Sequence, residues 1–277
     1  MQGGAYMQHY FMEDHEPSLL PDGDWQLVWN DEFDGTELNR ENWDFRMSMM
    51  GLPWPAWTDK GVTLDGNSNA VFTLMEEDGR PVSSQLQTGY NFMDEPIKKT
   101  DFLGAALQWN IGKLHSPLFL HTHGYYECRC RLQQKEGWWS AFWIQSPIIG
   151  ASLDSRYTGT EIDIMESFEP GKIIDHCLHS GGYGQDRQSF GTGEPEELDK
   201  TVFHRFGVLW DTNGYTFYVD GHEAGHTDKN PSDCPSFILI STEVNGYRKE
   251  DRTPVPEAYD AIGDTFLVDY VRVFDQK

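Results

Sequence analysis

From Trp25 to the end of the chain, apolar and polar positions alternate in short runs separated by Gly, Asp, Asn or Pro. A two-residue period places alternate side chains on opposite faces, which is the signature of half-buried strands. The runs predict strands at Trp25–Trp29, Val62–Leu64, Ala70–Leu74, Tyr125–Leu132, Ser140–Gln145, Glu161–Ser167, Ile173–His179, His204–Trp210, Tyr215–Val219, Phe237–Ser241 and Phe266–Phe274. Around Asp211-Thr212-Asn213-Gly214 the pattern predicts a hairpin in which Asn-Gly supplies positive φ angles. Segments 79–101 and 146–160 read as long loops, the sort that wall a binding site on a compact sheet. No repeat, linker or dominant amphipathic helix interrupts the series. The expectation is one all-β sandwich of antiparallel sheets over residues 23–277, preceded by an irregular arm at 1–22.

Composition sharpens this picture. The 277 residues include 45 acidic and 21 basic side chains, a formal charge of -24, which disfavours nucleic acid and anionic membranes as partners. No apolar run approaches the roughly 18–20 residues of a membrane-spanning helix. Aromatic residues are 14% of the chain and include 10 Trp, so flat surfaces suited to stacking on sugars are available. The first 25 residues show neither a basic n-region nor an apolar h-region, and the expectation for localisation leans to the cytoplasm over a secreted protein with its signal removed. Cys128, Cys130, Cys177 and Cys234 lack zinc-ligand spacing and are expected as free thiols. Cys128 and Cys130 share one strand face, an awkward geometry for a mutual bridge.

The densest chemistry lies in Glu161-Ile162-Asp163-Ile164-Met165-Glu166. Glu161 and Asp163 share a strand face, while Glu166 is out of phase by one residue. A β-bulge near Ile164-Met165 would bring Glu166 back to that face and keep Met165 inward. The segment would then advance like four residues, about 13 Å at roughly 3.3 Å each. Two glutamates leaning together on a concave sheet could bring their carboxyl groups to the ~5–5.5 Å of retaining glycosidases. Asp163, shorter and between them, could hydrogen-bond one glutamate and separate the two pKa values by like-charge coupling. Read alone, the same spacing also fits a solvated acidic face or a carboxylate metal site.

The surrounding motifs extend this reading. Trp25–Gly35 (WQLVWNDEFDG), His123–Arg129 (HGYYECR), Gly137–Trp143 (GWWSAFW), the acidic strand, Tyr218–Gly221 (YVDG) and Val268–Val273 (VDYVRV) occur in one order. In that combination the chain resembles glycoside hydrolase family 16, with the bulged E-x-D-x-x-E signature of laminarinases and agarases, over roughly residues 25–275. The resemblance implies a β-jelly-roll sandwich of two curved antiparallel sheets with a concave substrate cleft. It also implies a retaining endo-glycosidase: Glu161 as nucleophile, Asp163 assisting and Glu166 as general acid/base. It further implies Trp139 and Trp143 as sugar platforms, a cleft role for His179, and cleft walls at Trp57 and Tyr183. Arg129 would face the cleft if Glu127 does, or else form a packed salt bridge. No cofactor is implied for catalysis. A structural Ca²⁺ on the convex face would draw on Glu32, Gly66 and Asp269.

Three departures bear on the substrate. Ser140 replaces the usual Pro, Glu243 stands where relatives are commonly apolar, and the segment from Ser146 to Gly159 is long. The charge disfavours heavily sulfated galactans, although Arg187 could bind sulfate locally. The expected substrate is a β-1,3- or mixed β-1,3/1,4-glucan, cleaved by a monomer, with an agar-type galactan or poly-lactosamine as the alternative. A transglycosylase or a lectin-like module on the same scaffold would be a different class.

Overall fold

The strand series becomes two stacked antiparallel sheets in the computed structural model, which describes residues 7–95, 97–102, 105–110, 115–174 and 176–277, side chains of 97–110 excepted. One sheet has seven strands in the order Gln188–Thr192, His176–Ser180, Glu161–Ser167, Trp138–Gln145, Phe237–Val244, Gln85–Gln87 and Asp44–Phe45. The other has eight. Its path runs His222–Thr227, Gly214–Val219, His204–Asp211, Gly124–Arg131, Thr265–Gln276, Ala70–Thr73 and Val62–Leu64, with Trp25–Asp31 also paired to Thr265–Gln276.

The period of two explains how each strand divides its residues. Trp138, Phe142 and Ile144 enter the core between the sheets, while Trp139, Ala141 and Trp143 form a separate cluster with Phe237 and Leu239 on the opposite face. Tyr126, Cys128 and Cys130 meet that core from the eight-stranded sheet, with Phe206, Val208, Val271 and Val273. Truncating a core ring such as Phe142, fully buried here, costs about 3–5 kcal/mol. All four cysteines are free, as expected. Ser140 also faces inward, where its hydroxyl donates to Gln133 at 2.6 Å, and Gln133 in turn donates to the Ser167 carbonyl at 2.7 Å. A satisfied polar pair therefore occupies the place expected for Pro.

Several expectations are corrected. The arm predicted irregular at 1–22 contains an antiparallel ladder of Gln8–Tyr10 with Ser18–Leu20, residues 1–6 lying outside the described ones. Its Leu20 packs with Trp25, Tyr125, Tyr218 and Phe274 on the outer face of the eight-stranded sheet. Segment 79–101 is not a plain loop. It supplies Gln85–Gln87, an inner strand paired on both sides, and its residue 96 is outside the description. The strand predicted at Ile173–His179 divides into Lys172–Ile173 and His176–Ser180, with residue 175 outside the described ones. The 211–214 hairpin forms, but Asn213 does not adopt positive φ. The Asp211 carboxylate instead accepts from the backbone N–H groups of Asn213 (2.6 Å) and Gly214 (3.2 Å), which holds the turn from one side chain. No helix among the described residues is long and apolar enough to cross a membrane.

Candidate active site

A cleft of about 320 Å³ lies on the outer face of the seven-stranded sheet. Its floor is the pair of strands Trp138–Gln145 and Glu161–Ser167, whose register decides which acids face it. Trp143 pairs with Asp163, but the next residue, Phe142, pairs with Met165, so Ile164 is the extra residue of a bulge. Ile162, Ile164 and Met165 all pack in the core. Glu161, Asp163 and Glu166 all line the cleft. Without the bulge, strict alternation would send Glu166 into the hydrophobic interior.

The three acids have different surroundings. Glu161 accepts hydrogen bonds from Gln145 Nε2 at 3.0 Å and from the Tyr183 hydroxyl. Asp163 is buried beside His179, whose Nε2 is 3.2 Å from Asp163 Oδ2 and 3.8 Å from Glu161 Oε1. The carboxyl of Glu166 has no side-chain hydrogen bond among the described residues. Burial, and then the charges of Asp163 and Glu161, push its pKa well above the usual carboxylate range. Burial and then Glu161 do the same for Asp163. For Tyr183, burial first and Glu161 second push the hydroxyl well above its ordinary value, so it remains a donor. For His179, burial acts to lower the pKa, but its hydrogen bond with Cys177 and the charge of Glu161 together carry the net shift upward. A proton held by one carboxyl, beside a second carboxylate oriented by two donors, equips the site for acid-assisted displacement.

The walls combine residues legible in the sequence with residues that were not. Trp139 and Trp143 line the cleft as expected from their shared phase. The Trp143 indole N–H donates to Ser241 Oγ at 2.7 Å, which fixes the ring. Tyr183 reaches the cleft from a turn where Gly181 (φ 73°) and Gly182 (φ 79°) are left-handed. A Cβ on Gly150 would stand 2.6 Å from the Cα of Gly182, so the long 146–160 segment props this turn from behind. Segment 79–101 contributes Asn91, Met93 and Asp94 to the wall. Sequence reasoning missed Gln145, Arg46 and Arg248. Gln145 shares the phase of Trp139 and Trp143, a signal that could have identified it. Arg46 and Arg248 gave no such signal, because distant acids place them. Asp94 accepts from Arg46 Nε at 2.8 Å, and the buried Glu243 accepts from Arg248 at 2.7 Å. Arg248 lies 5.1 Å from the Trp139 ring centre. The unexpected Glu243 therefore serves to hold a cation at the rim.

Other predicted residues lie elsewhere. Arg129 is on the outer face of the eight-stranded sheet, bonded to Asp269 at 2.6 Å and stacked over Phe203, so the salt-bridge alternative is the one observed. Trp57 is only 5% exposed, packs in the core and stands behind Arg46, whose guanidinium is 5.2 Å from its ring centre. It does not line the cleft. The residues named for Ca²⁺ do not fit that ion. Both carboxylate oxygens of Glu32 accept from Arg272, at 2.9 and 2.7 Å, and Asp269 is held by Arg129. A divalent cation there would meet two guanidinium groups instead of free oxygens.

Residues 54–252 match the family model described as glycosyl hydrolases family 16. The chain is 26% identical over 273 residues to glucan endo-1,3-beta-glucosidase A1 of Niallia circulans, covering 91% of this chain but 38% of that protein. It is 28% identical over 273 residues to glucan endo-1,3-beta-glucosidase of Cryptopygus antarcticus, covering 90% of this chain and 92% of its relative. The laminarinase structure from Flavobacterium sp. UMI-01 superposes with a TM-score of 0.63 at 22% identity, over 90% of this chain and 100% of that one.

Proposed function

The chain belongs to glycosyl hydrolases family 16, and from that premise we propose that it is a retaining endo-hydrolase of β-1,3- or mixed β-1,3/1,4-glucan. The observation that carries the reading is the Ile164 bulge, which sets Glu161, Asp163 and Glu166 on one cleft floor. Glu166, protonated at rest, gives its proton to the glycosidic oxygen as the bond to the anomeric carbon breaks. Glu161 attacks that carbon from the opposite side, forming a glycosyl-enzyme ester. Water then attacks the same carbon, its proton passing to Glu166, and Glu161 leaves as carboxylate.

Gln145 and Tyr183 orient the Glu161 carboxylate for attack. Burial first, and then crowding by Asp163 and Glu161, favour the protonated form of Glu166, while His179 stands beside Asp163. Trp139 and Trp143 offer aromatic faces to sugar rings. A second hollow of about 220 Å³ shares Arg46, Asn91 and Asp94 with the cleft and prolongs it, which suits internal binding of a polymer. The names of the Niallia and Cryptopygus relatives favour glucan.

The test is reducing-end release from laminarin, mixed-linkage β-glucan, agarose and poly-lactosamine, by wild type and by Glu161→Ala. Release of mixed oligosaccharides from a glucan, lost in the variant, is the expected result. Release from agarose or poly-lactosamine alone would replace glucan by galactan. Binding to a polymer with no release from any would sink the hydrolase reading.

A further inference from the structure

The strand beside the acidic one places Cys177 opposite Asp163 and His179 opposite Glu161. Ligand atoms of Cys177, His179 and Asp163 all lie within 4.8 Å of one another. A tetrahedral zinc ion, with bonds of about 2.0–2.3 Å, holds its ligand atoms roughly 3.3–3.6 Å apart. The His179 Nε2 to Asp163 Oδ2 separation of 3.2 Å is already close to that span. Thiolate, imidazole and carboxylate together form a donor set suited to zinc and poorly suited to Ca²⁺ or Mg²⁺. Cys177 is partly exposed, and its thiol contacts the His179 side chain and, weakly, the Leu178 carbonyl at 3.8 Å. Cys128, Cys130 and Cys234 are buried.

We propose that Cys177 and His179, on the strand beside the cleft floor, form a Zn²⁺-binding site with the cleft residue Asp163, and that its occupation switches hydrolysis off. The ion would bind the thiolate, the thiol proton passing to solvent, and would engage the imidazole and the Asp163 carboxylate. Arg187, now 3.1 Å from both ring nitrogens of His179, would swing away; it sits on an exposed turn and can reach solvent. Glu161 Oε1, 3.8 Å from His179 Nε2, is the nearest further oxygen for a fourth position. The formal charge of -24 raises the local concentration of divalent cations. Inhibition rests on the roles proposed above for the three acids; binding does not.

Binding and activity are therefore measured separately on the intact chain. Calorimetric titration with ZnCl₂ should show one ion per chain in wild type, and Cys177→Ser should weaken it by roughly 10–100-fold or more, removal of a direct ligand exceeding loss of an outer partner. Co²⁺ in place of Zn²⁺ should give a near-ultraviolet thiolate-to-metal absorption that disappears in the variant. Without metal, Cys177→Ser should hydrolyse glucan like wild type. It should stay active at a zinc concentration that stops wild type, and chelation should restore the latter. Cys177→Ala provides the same comparison if the serine variant folds poorly by circular dichroism. Equal zinc affinity in wild type and variants, no stoichiometric binding, or a surviving cobalt–thiolate band would overturn the site. Stoichiometric binding with hydrolysis undiminished would overturn the switch.

Discussion

Two groups of buried and half-buried carboxylates occupy opposite outer faces of the sandwich, and they are handled in opposite ways. On the eight-stranded sheet, Glu32 is held by Nε and Nη2 of the fully buried Arg272, Asp269 by Arg129, and Glu127 by the Tyr270 hydroxyl and the Leu19 N–H. The N-terminal ladder packs against part of this face, through Leu20 and through the Leu19 N–H that bonds Glu127. On the seven-stranded sheet, Glu161, Asp163 and Glu166 share an open cleft, and the two arginines that line it, Arg46 and Arg248, are paired to other acids. Burial raises the pKa of Glu127 as it raises that of Glu166. A perturbed carboxyl therefore does not by itself mark a site. What separates the two faces is like-charge crowding beside a cavity, as against individual pairing on a partly covered face.

The largest expected effect lies at the cleft. Glu161→Ala should lower turnover by at least about 10⁴-fold, in line with nucleophile loss in other covalent enzymes. Azide should restore turnover on an activated aryl glycoside and give the inverted glycosyl azide. Turnover surviving without azide would remove the nucleophile assignment. Next comes Glu166→Ala, with a loss of about 10²–10⁴-fold on glucan and much less on aryl glycosides whose leaving groups need no proton. In wild type, activity should fall at alkaline pH as Glu166 loses its proton, and that limb should vanish in the variant.

On the opposite face the sign of the outcome changes from chemistry to stability. Arg272→Ala leaves Glu32 buried without its partner and should cost about 3–5 kcal/mol in a denaturant titration. Specific activity per folded molecule should be unchanged; a large change would mean that the two faces are coupled. A smaller effect distinguishes Glu166. Because its folded-state pKa lies above the unfolded value, the unfolded chain gives up this proton first, and stability falls as pH rises between the two values. Glu166→Gln should therefore melt above wild type at neutral pH, and the gain should disappear below the ordinary glutamate value of about 4.3. The smallest expected effect is that of calcium. Adding Ca²⁺, or EDTA to a calcium-treated sample, should leave the melting temperature where it was, because guanidinium groups already occupy the oxygens of Glu32 and Asp269. A clear rise on adding calcium would show that the pairs on this face can open.

Much of the fold and part of the site were legible because they depend on local periodicity. The strand Glu161–Ser167 has the predicted limits, and the bulge follows from the need to bury Met165 while exposing Glu166. The phase of Trp139 and Trp143 similarly placed both on the cleft. The same alternation correctly linked Arg129 to Glu127, yet it could not say whether their shared face met a sugar or the N-terminal ladder. Trp57 failed for a related reason. A Pro-rich segment reads as surface, whereas here its tryptophan is covered by Arg46.

By itself, then, the sequence determined which residues are strands, which side chains share a face, and which acids can act together, since neighbours along a strand are fixed by a two-residue repeat. Tertiary structure alone decided which outer face became a cleft and which was partly covered, and which arginine reached which acid. Those outcomes depend on contacts between residues far apart in the chain: Arg272 with Glu32, Arg46 with Asp94, and Leu19 with Glu127. No local pattern encodes them, because each is fixed only when the sheets have stacked and the buried charges have found their partners.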